Sequence, residues 1–291
     1  IIIPLAVGLG LIAYPLMPTI AYLGPEHTNT HLAALKRFGR GAKYVHAPTV
    51  DDVFHLVERE QAYYGVVPIE NSLEGAVTHT LDRFIDFVDA PVRIHGEVEQ
   101  PIRHMLIIRR GARLDRIRAV YSHPQALAQC RHWLDQHLPH ASRRETNSTA
   151  DAVRYVVRDA RLATRAAIGR AELARERRLR AMPIPELREN KTRFLVIGLG
   201  EPTRGRRNKT SILLAVKDKP GALHDALVAF KRSRINLTKI ESRPSKRKAW
   251  EYLFFIDLEG HESEPRVRRA LNALTRSTSL LRVLGSYPTA R

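Results

Sequence analysis

From Thr19 to Gly200 short apolar stretches alternate with amphipathic ones, and this alternation limits the fold more than any other feature of the chain. Strands are expected at 19–23, 42–46 and 63–68, with helices near 29–38, 50–59 and 77–88. Strands and helices in that order give an α/β domain with a largely parallel sheet. A second set follows, with strands at 92–99, 103–109 and 118–121 and a helix after Ser122-His123-Pro124-Gln125, Pro124 standing in its first turn. Then come strand 141–145, a helix capped by Ser148 or Thr149, a basic helix from Arg170 to Arg180, and the apolar strand Phe194-Leu195-Val196-Ile197.

Residues 201–209 read as a linker, rich in Gly, Pro and charge, which divides a first domain (19–200) from a second (210–291). The second carries strands at 211–216, 235–242, 249–258 and 278–286, with helices ending at Phe230 and near 265–275. That βαββαβ order is the ferredoxin-like arrangement, in which two helices cover one face of a four-stranded antiparallel sheet.

The net charge of +18 favours anionic partners. The basic residues are scattered and not interleaved with aromatics, so no nucleic acid is expected as a partner. The lone Cys130 excludes an intrachain disulfide and a cysteine metal cluster, and its apolar helical setting reads as core. A reducing, cytoplasmic location is consistent with this. The uncharged residues 1–18 approach the length of a membrane span. Pro4, Pro15 and Pro18 weaken a helix there, however, and no basic region precedes an apolar one, so the segment is expected to be an apolar extension outside the fold.

Three polar clusters follow apolar strands. Glu70-Asn71-Ser72 stands at the carboxyl end of one strand, where ligands bind in open α/β sheets; a turn with a helix cap is the competing reading. Ser122, His123 and Gln125 open a helix whose free N–H groups suit an anion, or form an ordinary cap. Thr192-Arg193 leads into the apolar strand, offering a neutral donor and a fork for a carboxylate. No phosphate-binding glycine loop, zinc-protease spacing or nucleophile elbow is present, which leaves cofactor-independent chemistry, with no metal, or simple ligand binding.

Taken in order, "AYLGPE", "YYGVVPIENSLEGAVTHTLD", "YSHPQALAQC", "STADAV" and "NKTRFLVIG" resemble the successive motifs of prephenate dehydratase, and "DKPGALHDAL" and "INLTKIESRP" resemble the ACT regulatory domain that follows it in that family. The resemblance covers about residues 19–286. It implies a two-lobed catalytic domain like a periplasmic binding protein, with lobes of about 19–94 plus 181–200, and 95–180, and a site in the crevice between them. It also implies cofactor-free loss of carbon dioxide and hydroxide from prephenate to give phenylpyruvate, with phenylalanine as feedback effector.

By the same resemblance Thr192 donates to the leaving hydroxyl, Arg193 pairs with a substrate carboxylate, and Phe194 shapes the wall or belongs to the core. Thr28, Glu70, Asn71, Ser72, Ser122, His123, Gln125 and Thr149 line the substrate site, although a carboxylate such as Glu70 repels a dianion unless protonated or turned away. Gly221, Ala222, Leu223, Asn236, Glu241, Ser242, Arg243 and Pro244 form the phenylalanine site, at an interface between ACT domains of a homodimer or homotetramer. Arogenate dehydratase and a non-catalytic amino-acid sensor are the alternatives. The chain departs from the family pattern at His27, where a glycine is usual, at Asn29, where the residue is usually apolar, and at His224 in the regulatory loop. If position 27 requires positive φ, His27 carries strain.

Overall fold

The computed structural model describes residues 17–86, 90–158, 163–185, 189–217, 219–245 and 251–290. Most of the expected N-terminal extension, the end of the helix at 77–88 and the start of the strand at 249–258 lie outside the described residues.

In chain order the elements are β1 (Thr19–Leu23), α1 (Asn29–Phe38), β2 (Lys43–Ala47), α2 (Val50–Glu58), β3 (Tyr64–Asn71), β4 (Gly75–Ala76), α3 (Thr78–Asp86), β5 (Arg93–Pro101) and β6 (Met105–Ile108). These are followed by β7 (Ala119–Ser122), α4 (Pro124–Gln129), α5 (Arg131–His137), β8 (Ser142–Glu145), α6 (Thr149–Arg158), β9 (Arg165–Gly169), α7 (Ala171–Glu176), β10 (Arg180–Pro183) and β11 (Lys191–Gly198). The last elements are β12 (Asn208–Val216), α8 (Ala222–Arg232), β13 (Leu237–Pro244), β14 (Tyr252–Glu259), α9 (Pro265–Ser277) and β15 (Thr278–Pro288).

Contacts divide the chain into two compact units. The first holds the chain up to Leu23, Ala33–Glu99 and Arg193 onward; the second holds Gly24–Leu32 and Gln100–Thr192. The division at 99/100 falls five residues beyond the expected lobe boundary at 94/95, and that at 192/193 falls twelve beyond the one at 180/181.

The first unit contains two sheets. One has the order β2-β1-β3-β11-β5 with β4 on β3, and β1 is parallel to both its neighbours. The other is the antiparallel β13-β14-β12-β15, the βαββαβ arrangement expected for the second domain. On one face of this second sheet Ile212, Leu214, Ile256 and Leu258 pack on Ala226, Phe230, Val267 and Leu274 of α8 and α9. On the other face Leu213, Leu253, Phe255 and Tyr287 join Phe54, Phe84, Ile94 and Leu195 in one continuous core. The Phe84 and Phe255 rings stand 6.2 Å apart at 48°. Both faces of the sheet are therefore buried, and each large side chain so placed contributes about 1.5–3 kcal/mol.

The second unit is a five-stranded sheet, β10-β6-β9-β7-β8, in which β7 runs parallel to β8 and β9, while β6 runs antiparallel to β9 and β10. Strand β9 was not expected from the sequence: Arg165-Ala-Ala-Ile-Gly169 is short and alanine-rich, without the β-branched run that marks a strand. Its position between β6 and β7 buries Ala166, Ala167 and Ile168 completely, and small residues suit that packing. The basic helix expected over 170–180 is a correction: α7 ends at Glu176, Arg178 adopts φ 54°, and Arg180 begins β10. The N–H of Leu179 closes the end onto the Ala174 carbonyl.

Gly285 lies at a bulge in β15, where the partner register slips between Ser211 and Ile212. A Cβ there would stand 2.2 Å from the carbonyl oxygen of Ile94. Gly285→Ala is expected to lower stability by about 1–3 kcal/mol or more, because backbone must move to admit one methyl group; chemical denaturation measures it.

His95 on β5 is 8 % exposed and packs edge-on to the Tyr64 ring at 5.4 Å. Burial lowers its pKa to about 4, against the opposing pull of backbone hydrogen bonds at Gly198, Leu199 and Gly200. The unfolded chain thus binds the proton more tightly than the folded one below about pH 6.5. Stability is complete above that value and falls as pH drops from about 6.5 toward 4, by roughly 3 kcal/mol in all. In a His95→Gln variant that portion of the stability-versus-pH curve should be flat.

Candidate active site

Strand β11 carries the polar lead-in of its sequence into the first unit through Arg193, which is 8 % exposed. Its side chain meets three of the protein's own carboxylates. Nη2 lies 2.8 Å from Glu70 Oε1, and Nη1 lies 2.9 Å from Glu97 Oε2 and 2.8 Å from Asp257 Oδ2. Lys209 Nζ adds a contact of 2.8 Å to Glu97, and Lys239 Nζ one of 2.5 Å to Glu70. Ser211 Oγ donates to Asp257 Oδ1 at 2.5 Å and bonds the Tyr287 hydroxyl at 2.7 Å, and the N–H of Ala290 donates to Glu97. Three cations face three anions, which is the condition under which charges tolerate burial.

The titration behaviour follows. Burial by itself would raise the Glu97 carboxyl, but Lys209 and Arg193 beside it hold it below the ordinary glutamate value. Glu70 behaves alike, with Arg193 and Lys239 outweighing its desolvation. For Arg193 burial works toward a lower pKa, and Asp257, Glu97 and Glu70 more than reverse it. Tyr287 is pushed well up by burial and by the charges of Asp257 and Glu97.

This geometry bears on the sequence-based expectations. Arg193 is not an open fork awaiting a carboxylate, since both terminal nitrogens are already engaged. Glu70 is turned to Lys239 and Arg193, which answers the difficulty of a carboxylate beside a dianion. Phe194 is 2 % exposed in a core with Tyr22, Val66 and Val196. The Asn71 side-chain oxygen accepts from the N–H groups of Leu73 and Glu74, so it shapes the turn after β3, on which Ser72 is exposed.

In the second unit, Thr28 Oγ1 donates to the Pro25 carbonyl at 3.0 Å and accepts from the N–H of His31 at the start of α1. His27 adopts φ 64°, the left-handed conformation for which its family position uses glycine. Its N–H donates to His31 Nδ1 at 3.0 Å and its ring lies 3.1 Å from Glu176, contacts that offset a cost of about 1–2 kcal/mol. Asn29 buries its Oδ1 without a partner among the described residues. Ser122 is fully buried and donates to the Ile168 carbonyl at 2.9 Å, tying β7 to β9. His123 is the N-cap of α4, its Nδ1 accepting from the N–H of Gln125, and burial lowers its pKa. The cap of α6 is Ser148, whose Oγ accepts from Asp151; Thr149 is the first helical residue and is half-buried.

In the βαββαβ unit, Gly221 holds φ 77° at the N-terminus of α8, followed by buried Ala222 and half-buried Leu223. The β13 side chains alternate. Lys239, Glu241 and Arg243 are half-buried, and Arg243 grips Asp82 through Nε and Nη2 at 3.0 and 3.3 Å. Ser242 and Pro244 are exposed. The pairing of Ala215 and Arg243 with the same residue, Leu253, brings the ends of β12 and β13 to one end of the sheet. Asn236, before β13, lies at the other end and donates to Glu259 at 3.3 Å.

Glu97, Lys209, Lys239, Ser211, Asp257 and Tyr287 were not singled out from the sequence. Asp257 left a signal: one carboxylate inside the apolar run "YLFFIDL" has to find a buried partner. Among the described residues no group of three His, Cys, Asp or Glu side chains is placed to hold a metal ion, and no helix is long and apolar enough to cross a membrane.

The fold and its polar clusters define an α/β chain with a C-terminal βαββαβ domain of the regulatory type. The prephenate dehydratase family profile matches residues 20–202 and the ACT domain profile residues 210–276. A bifunctional chorismate mutase/prephenate dehydratase of Aquifex aeolicus is 48 % identical over 93 % of this chain and 74 % of its own length. A prephenate dehydratase of Methanocaldococcus jannaschii is 40 % identical over 82 % of this chain and 86 % of its own. The crystal structure of an Arthrobacter aurescens prephenate dehydratase in complex with L-Phe superposes with a TM-score of 0.82 at 34 % identity, covering 94 % and 90 % of the two chains. The chain belongs to the prephenate dehydratase family and carries the ACT domain.

Truncating one member of the buried ion cluster leaves its partners charged and unpaired. Asp257→Ala should therefore cost about 3–5 kcal/mol in denaturant unfolding. Since Glu70 and Glu97 both have lowered pKa values, the cluster's contribution is complete above about pH 4.5 and is lost as pH falls through their folded values.

Proposed function

We propose that Thr192 is the donor to the departing hydroxyl of prephenate in a cofactor-free decarboxylation and dehydration that yields phenylpyruvate, carbon dioxide and water. The observation that carries this reading is the neighbour of Thr192. Arg193, next in the chain, is fixed by three carboxylates, so the backbone bearing the threonine hydroxyl is held rigidly. In this reading Arg193 is a positioning residue and Phe194 a core residue beneath it. Contacts to substrate are assigned to Thr28, Ser72, His123, Gln125 and Thr149. Asn71 and Ser122 act by shaping the backbone around them, and Glu70 acts by its bond to Arg193.

Aromatisation of the ring drives the reaction, so the protein's task is to hold a dianion and stabilise charge developing on the leaving oxygen. A threonine hydroxyl is a weak acid and supplies a short hydrogen bond along which a proton is delivered. The purified chain is expected to convert prephenate to phenylpyruvate, followed by its absorbance at alkaline pH. Thr192→Ala should lower kcat by roughly 10²- to 10⁴-fold with a small change in KM. Wild-type turnover no greater than that of the variant would remove the assignment, and the same assay with arogenate separates the two substrates.

We further propose phenylalanine as effector, bound where Gly221–Leu223 and Glu241–Pro244 meet an Asn236 from a second copy. Asn236 stands at the opposite end of its own sheet, which supports a site completed by a homodimer. Gly221 has the left-handed φ of 77° that a small-ligand loop requires. Phenylalanine should inhibit the wild-type enzyme, and Gly221→Val should raise the concentration needed by an order of magnitude or more. Equal inhibition of both proteins would disprove the site. A cytoplasmic location accords with this metabolic role.

A further inference from the structure

With Arg193 engaged by protein carboxylates, the substrate's negative charge calls for another cation. Arg170 has the required properties. It follows β9 directly, is 7 % exposed, and lines a cavity of about 740 Å³ in the second unit. Its one ion pair among the described residues is a contact of 3.3 Å from Nη2 to Glu172, whose side chain is half-exposed. Among the described residues Nε and Nη1 are buried and without a hydrogen-bond partner. Burial lowers the pKa of the group, and Glu172 and Glu176 restore only part of what is lost. A guanidinium stripped of water with two donors unsatisfied is costly, and the natural remedy is an anion.

The cavity wall is suited to such an anion. Several of its polar members are engaged elsewhere: the His104 ring and the Asn190 amide both bond Gln129 Oε1, at 2.7 and 3.0 Å, and Glu189 pairs with Lys191 at 2.8 Å. Gln100 and an exposed second cation, Arg103, also line it, and Arg170 is the cation that is buried there. Asn190 lies two residues before Thr192. Ser122 is tied to the carbonyl of Ile168, two residues before Arg170. The cavity is therefore built from chain segments directly continuous with those assigned to the reaction.

We propose that Arg170 binds a carboxylate of the substrate in this cavity, the role that residue type alone suggested for Arg193. The identity of the substrate rests on the prephenate dehydratase reading; the existence of a carboxylate site at Arg170 does not. Wild type, Arg170→Met and Arg170→Lys are compared in two measurements. In prephenate turnover, Arg170→Met should raise KM on the order of 10- to 100-fold while kcat changes less, with partial rescue by Arg170→Lys. In calorimetric titration with phenylpyruvate, a carboxylate of the product type, Arg170→Met should lose affinity by a similar factor. Its thermal midpoint should stay at or above that of the wild type, because an unsatisfied buried charge has been removed.

KM and phenylpyruvate affinity within twofold of wild type would overturn the proposal, as would a lower thermal midpoint with unchanged affinity. A wild type that binds phenylpyruvate through Arg170 yet does not turn over prephenate would support the carboxylate site and refute the dehydratase reading instead.

Discussion

The buried cluster around Arg193 is the constraint on which the first unit depends. One guanidinium on β11 collects carboxylates from β3, β5 and β14, and two lysines from β12 and β13 balance them. Charges taken from water in this number are tolerated only when each has a partner. The sheet of the ACT domain and the sheet carrying β11 accordingly meet through paired charges. Phe84 and Phe255, with ring centres 6.2 Å apart, belong to the apolar core that the same two sheets share.

This arrangement gives the ACT domain a direct bearing on the end of β3. Lys239 stands two residues before Glu241 on the same face of β13, and its amine bonds Glu70, which precedes Asn71 and Ser72. Arg243, further along the same face, holds Asp82 on α3. A ligand that shifts β13 by a fraction of an ångström therefore meets ionic resistance at two points. Coupling between sites is a free energy, and bonds such as these are a physical means of carrying it.

Much of the fold is legible in the order of the residues. The β-α alternation and the βαββαβ order follow from periodicity and turn residues, which are local properties. Strand β9 was missed because alanines show no period and its burial comes from neighbours distant in sequence. The helix expected over 170–180 was overextended because arginine is a good helix former, and the chain nevertheless turns at Arg178 to give β6 a partner in β10. At position 27 the sequence did foretell something unusual, and the left-handed φ of His27 is the outcome.

The candidate site divides in the same way. The polar groups at strand ends are legible because residue type and position relative to a strand are written in the chain, and the family resemblance adds the role proposed for Thr192. What Arg193 faces is not written there. A guanidinium reads as a fork for a ligand's carboxylate or for the protein's own, and only the packing of β14 and β5 against β11 decides between them. In the second unit Arg170 is buried with two nitrogens that have no hydrogen-bond partner among the described residues, a condition that no local pattern records. Sequence determined which groups the chain possesses and which elements carry them. Tertiary structure decided which charges neutralise one another and which remain for a ligand, because that depends on distance and desolvation between residues far apart in the chain.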